Sequence, residues 1–165
     1  MTYKRLITFN VIALFITSLV LLYNYFSPKI APQPSIYVQE STLSIENLEN
    51  YVLSQSNSSK IYVLIGDVED NNTIYLLETV LKNCANSAHV EYFTNLEFVQ
   101  ASNTLANKQL LNELYYVENT PAFVSIENID GVMSITSTLT WNQQEPITEK
   151  DIQEWMKLNN IWPKN

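Results

Sequence analysis

The run Ile61-Tyr62-Val63-Leu64-Ile65 restricts the fold of this chain more than any other segment. It is an almost uninterrupted apolar stretch, bounded on its N-terminal side by the breaker cluster Ser56, Asn57, Ser58 and Ser59. A strand with no polar face has to be covered on both sides, so it belongs in the middle of a sheet with helices above and below.

The flanking sequence supplies those helices. A short β-rich run at 36–39 precedes Ser44, which can cap a helix whose apolar positions Ile45, Leu48, Tyr51 and Val52 share one face. After the central strand, polar residues 67–72 lead to a second helix with Thr73 near its start and Ile74, Leu77, Leu81 and Cys84 on one stripe. Residues 90–93 read as a strand, and 105–115 as a helix with Leu111, Leu114 and Tyr115 inward. The rhythm then changes: 122–126 and 132–136 are predicted strands joined by a loop over 127–131, a length that suits an antiparallel hairpin. A final helix is expected over 148–158, with Thr148 and Asp151 in capping-box positions and Ile152, Trp155 and Met156 inward. The predicted order βαβαβαββα requires parallel crossovers followed by an antiparallel edge: an α/β domain with a mixed sheet and helices on both faces.

Ahead of this domain, residues 6–26 carry no charge, and 21 residues of helix at about 1.5 Å each would span roughly the 30 Å of a bilayer core. The expectation is one uncleaved transmembrane anchor, because no small-x-small cleavage site closes the run; Phe26, Ser27, Pro28 and Lys29 follow. Lys4 and Arg5 precede it, which places residues 1–5 in the cytoplasm and the domain outside, a single-pass arrangement. Pro28, Pro32 and Pro34 make 27–35 an extended tether; 36–162 is the domain and 163–165 a tail.

Composition excludes several function classes. Beyond residue 30, six lysines face seventeen acids. No basic surface is available to displace counterions, so nucleic acid is not an expected partner. One cysteine, Cys84, precludes an internal disulfide, a cysteine-only zinc cluster and intramolecular dithiol chemistry. One histidine, His89, would need carboxylate partners to hold a metal, and it lies near no patterned nucleophile. Asp67, Glu69, Asp70 and Glu78 match a calcium loop poorly, since Asn72 stands where glycine is needed; acids at a helix start are the simpler reading. No cofactor or metal is expected.

The segment Glu118-Asn119-Thr120-Pro121-Ala122-Phe123-Val124 resembles the threonine-proline-x-phenylalanine strand of the thioredoxin-like superfamily. The resemblance covers about residues 36–162 and implies a cis proline beside the active site. With the anchor and a glycine closing the second strand, the chain is also similar to the bacteriocin transport accessory proteins of Gram-positive bacteria. The family's cysteine-x-x-cysteine positions fall on Asp70 and Thr73, so the motif reads Asp70-Asn71-Asn72-Thr73. A carboxylate and a hydroxyl do not exchange disulfides, and no catalytic residue is carried over.

Three functions remain at this point. The first is a redox-inactive, membrane-anchored, extracytoplasmic accessory or chaperone-like module. It would bind exported peptides or secretion-machinery protein through Asp70, Asn71, Asn72, Thr73, Thr120 and Pro121, with Tyr115, Tyr116 and Trp141 as further contacts. The second is a thiol enzyme using Cys84. Its place near a helix C-terminus and on an apolar stripe argues for a buried structural thiol. The third is a structural subunit of an envelope secretion or conjugation complex.

Overall fold

In the computed structural model the described residues are 13–19, 22, 35–39 and 43–163. Strand β1 (Val38–Gln39) is followed by α1 (Ile45–Ser54), β2 (Lys60–Gly66), and a helix α2 made of three successive segments, Asn71–Tyr75, Leu76–Leu81 and Lys82–Ser87. Then come β3 (Phe93–Gln100), α3 (Leu105–Tyr115), β4 (Ala122–Ile129), β5 (Val132–Thr140) and α4 (Glu149–Leu158). The strand order is β1-β3-β2-β4-β5. β3 runs parallel to β1 and β2, whereas β4 is antiparallel to both β2 and β5. The predicted element order and mixed sheet are observed, and the Thr120–Pro121 peptide is cis. The mixed five-stranded sheet with its helices is consistent with the fold that the resemblance implied.

Strand β2 occupies the centre, and its side chains divide two cores. Ile61, Val63 and Ile65 pack with Ile45, Leu48 and Val52 of α1 and with Leu111 and Tyr115 of α3. Leu64 points the other way, into Leu77 and Leu81 of α2, Phe123 of β4, and Ile152 and Met156 of α4. The alternation is that of any strand, but here both faces are dry.

Several boundaries differ from expectation. Strand β3 covers Phe93–Gln100 rather than 90–93, because Thr94, Asn95 and Glu97 interrupt its apolar pattern although Leu96, Phe98 and Val99 are buried. The hairpin is longer than predicted, and its turn is only Asp130-Gly131, with φ of 53° and 79°. Positive φ at both turn residues gives the primed turn that matches strand twist, and Gly131 adopts it without steric cost. Within α2, Leu76–Leu81 forms a π-helix. Its wider turns bring Leu76 and Val80 into the core beside the expected Leu77 and Leu81, while Ile74 is only half-buried. The predicted capping box of α4 is present: the Asp151 carboxylate accepts from the Thr148 N–H at 2.8 Å, and the Asp151 N–H donates to the Thr148 hydroxyl at 3.4 Å.

Residues 13–19 and 22 are helical and exposed, with the Thr17 hydroxyl donating to the Ala13 carbonyl at 2.8 Å. They belong to the expected anchor, whose other residues, like 1–5 and 27–34, lie outside the described ones. Among the described residues no helix is long and apolar enough to cross a membrane.

Leu64→Ala should destabilise the domain by about 2–5 kcal/mol in urea unfolding, as a fully buried leucine at the junction of four elements leaves a cavity that rigid neighbours cannot fill. Leu158→Ala, at a position 75% exposed, should change stability by less than about 0.5 kcal/mol.

Candidate functional site

The loop from β2 into α2 is organised by two carboxylates. Asp67, buried at 9% exposure, accepts hydrogen bonds from the Glu69 N–H and the Gln100 side-chain amide on one oxygen, each at 3.0 Å. Its other oxygen accepts from the Asn103 N–H at 3.2 Å. One side chain therefore ties the ends of β2 and β3 to the following loops. Asp70 is the N-cap of α2, and one of its oxygens accepts from the Asn72 and Thr73 N–H groups, both at 3.0 Å. Two of the helix's free backbone donors are thereby satisfied. Among the described residues no group of three or more His, Cys, Asp or Glu is placed to hold a metal ion.

Thr73 is fully buried beneath this cap. Its hydroxyl donates to Asp70 at 3.3 Å and accepts from the Asp67 N–H at 3.4 Å. Its side chain lies against Gly66, where an added Cβ would come within 2.7 Å of the threonine methyl group. The helix start is thus packed directly onto the end of the central strand. The four positions onto which the resemblance carries the dithiol motif form a helix start closed by Asp70 and Thr73, in which Asn71 alone is fully exposed and Asn72 is half-buried.

Beside it lies a cleft of about 450 Å³. Three loops meet there: Asn72 at the start of α2, Asn119 and Thr120 before β4, and residues 141–144 after β5. Of the residues singled out by sequence, Asn72, Thr120 and Trp141 line this cleft together. Pro121 is buried, and its carbonyl accepts the Trp141 N–H at 3.0 Å, which joins the loop after β5 to the cis turn. Trp141 is 6% exposed and packs edge-on against Tyr75 with ring centres 6.2 Å apart, so it forms a wall of the cleft and is not a free surface contact. The contact reading of Tyr115 is corrected: the residue is completely buried in the core between α1 and α3. Burial pushes its hydroxyl pKa up, and the Glu49 carboxylate adds to the effect. Tyr116 is 72% exposed at the end of α3 with φ of 54°, outside the cleft. His89 is likewise exposed, in the turn after α2 with φ of 53°.

Sequence reasoning missed Asn119, Asn142, Gln143 and Gln144 as lining residues. The polar, amide-rich composition of the segment after β5 was the available signal.

Cys84 has no exposed surface. Its Sγ faces the Glu149 carbonyl at 3.7 Å, and burial, with the Glu149 charge adding to it, pushes the thiol pKa up to about 12. A thiol held neutral inside the core is a poor nucleophile.

No family model matches the sequence, and no curated protein matches it. Among solved structures, the chain is similar to a thioredoxin of Plasmodium falciparum at 18% identity and a TM-score of 0.44, over 78% of this chain and 96% of that one. It is also similar to a thioredoxin of Trichomonas vaginalis at 12% identity and a TM-score of 0.38, over 64% of this chain and 86% of that one.

Gly66→Ala should destabilise by about 1–3 kcal/mol through overpacking against Thr73. Thr73→Ser in the same chain should recover part of that loss by removing the methyl group; a double-mutant cycle with no coupling would contradict the packing described. For Cys84, the folded pKa lies above the ordinary value of 9.0. Its contribution to stability is thus fully present below pH 9.0 and lost as pH rises through about 12. Ellman's reagent at neutral pH should react with this thiol only after a denaturant is added.

Proposed function

We propose that this chain is a thioredoxin-like binding module without dithiol exchange, held outside the cell membrane by residues 6–26 and acting on exported peptides or a secretion-machinery protein. The carrying observation is a juxtaposition. The place of the dithiol is closed by Asp70 and Thr73 bonding to each other and to backbone, while the neighbouring cleft beside Thr120 stays open. Lost cysteines remove disulfide exchange but leave a concave surface next to the cis turn where an extended chain can lie. The bacteriocin-accessory resemblance supports the same role. The rival thiol-enzyme reading requires Cys84 to leave the core, and the burial of its sulfur counts against that.

The full-length chain should bind a carboxymethylated, permanently unfolded polypeptide and should show no insulin-type disulfide reduction. Asn142→Trp, which places a large ring at an exposed position of the cleft, should weaken that binding about tenfold or more, equivalent to about 1.4 kcal/mol. Absence of binding, or binding indifferent to Asn142→Trp, would defeat the proposal. Steady turnover of insulin abolished by Cys84→Ser would replace it with the thiol enzyme. External protease added to intact cells should digest the domain if the orientation is as proposed.

A further inference from the structure

Five side chains lining the cleft end in a carboxamide: Asn72, Asn119, Asn142, Gln143 and Gln144. None of the lining residues is charged. One carboxamide oxygen is occupied, since Asn142 Oδ1 accepts the Gln144 N–H at 3.0 Å. Among the described residues, the side-chain amides of Asn72, Asn119, Gln143 and Gln144 hydrogen-bond to no other protein group. The cleft thus presents several free groups that each donate and accept, from three separate loops, over a tryptophan wall.

That combination discriminates among ligands. An apolar side chain placed there would strip water from amides and return no hydrogen bond. A charged side chain would find no counter-ion in the lining. A neutral side chain that both donates and accepts replaces the displaced water bond for bond. We propose that the cleft selects extended polypeptide segments bearing Asn, Gln, Ser or Thr side chains over apolar or charged ones. This rests on the binding-module reading above and names the class of segment that module takes.

Glu118 and Glu145 are exposed and adjoin lining residues in the chain. They add a general attraction for cations that salt screens, because exposed charges lose most of their reach at about 0.15 M ionic strength. Selection by the amides does not depend on salt.

The test uses the full-length chain and three fluorescent peptides of about twelve residues, long enough to cross such a cleft in extended form. Each alternates glycine with one class of residue: Asn and Gln, Val and Leu, or Lys and Glu. Chitotetraose serves as a competing neutral probe. Fluorescence anisotropy at low and high salt should show the amide peptide bound about tenfold more tightly than the others, a preference equivalent to about one or two hydrogen bonds. The paired substitution Asn119→Ala with Gln144→Ala, both exposed, should abolish that preference without moving the thermal transition.

Equal binding of all three peptides, a preference for the apolar or charged one at high salt, or a preference that survives the paired substitution would overturn the selectivity and leave the binding-module reading standing. Failure of every peptide and of the unfolded polypeptide would remove both. Displacement of the amide peptide by chitotetraose at comparable concentration would reassign the cleft to carbohydrate and overturn the proposal.

Discussion

The burial of β2 on both faces is the constraint on which the other elements depend. Val63, Leu64 and Ile65 have no exposed surface, and the strand pairs with β3 on one edge and β4 on the other. Its backbone groups and both faces are therefore committed at once. A slip of one residue would carry Ile61, Val63 and Ile65 from the α1–α3 core to the α2–α4 core and leave neither correctly filled. The cleft inherits its position from this arrangement. Gly66 ends β2, Thr73 packs onto it, and the antiparallel pairing of Ile65 with Ala122 brings the Thr120–Pro121 turn to the same end of the sheet.

The carboxylates at that end act as structural acceptors. Asp67 and Asp70 both have oxygens engaged by backbone or side-chain donors within the protein. This is the behaviour expected of acids at a helix start, where orphan N–H groups and the helix dipole favour negative charge. The same bonds give Asp70 and Thr73, the positions onto which the resemblance carries the dithiol motif, a structural role. In this chain the two side chains bond to each other and close the turn, and folding alone accounts for them.

Local motifs were legible in the sequence, and tertiary substitutions were not. The capping box of α4 and the span of α3 could be read because their signals lie within one or two turns. Strand β3 was hidden in part by Glu97, whose carboxylate accepts from the Tyr51 hydroxyl of α1 at 3.0 Å. The far half of β4 was hidden in the same way. Glu127 pairs with Lys60 at 3.7 Å, and the Asn128 amide donates to the Gln55 carbonyl at 2.9 Å, so residues read as loop are strand residues with partners elsewhere. Tyr115 and Tyr116 look equivalent as neighbours, yet the left-handed backbone at Tyr116 ends the helix, with Tyr115 in the core and Tyr116 exposed. For the site, Asn72 and Thr120 could be picked out from the resemblance, whereas Asn119 and residues 142–144 are joined to them only by the meeting of three loops.

The contrast between the two halves of this end of the domain bears on where function resides. Residues whose identity the fold explains, such as Thr73 against Gly66 or Asp70 over its helix, need no further reason to be as they are. The exposed amides of Asn119, Gln143 and Gln144 have no such explanation: they cap nothing, fill no core and bond to no described neighbour. Exposed positions of this kind tolerate substitution within about 0.5 kcal/mol, so stability exerts little demand on their chemistry. Side chains that folding leaves unconstrained, gathered in one concavity and alike in what they can donate and accept, are where recognition can be written without disturbing the scaffold that holds them.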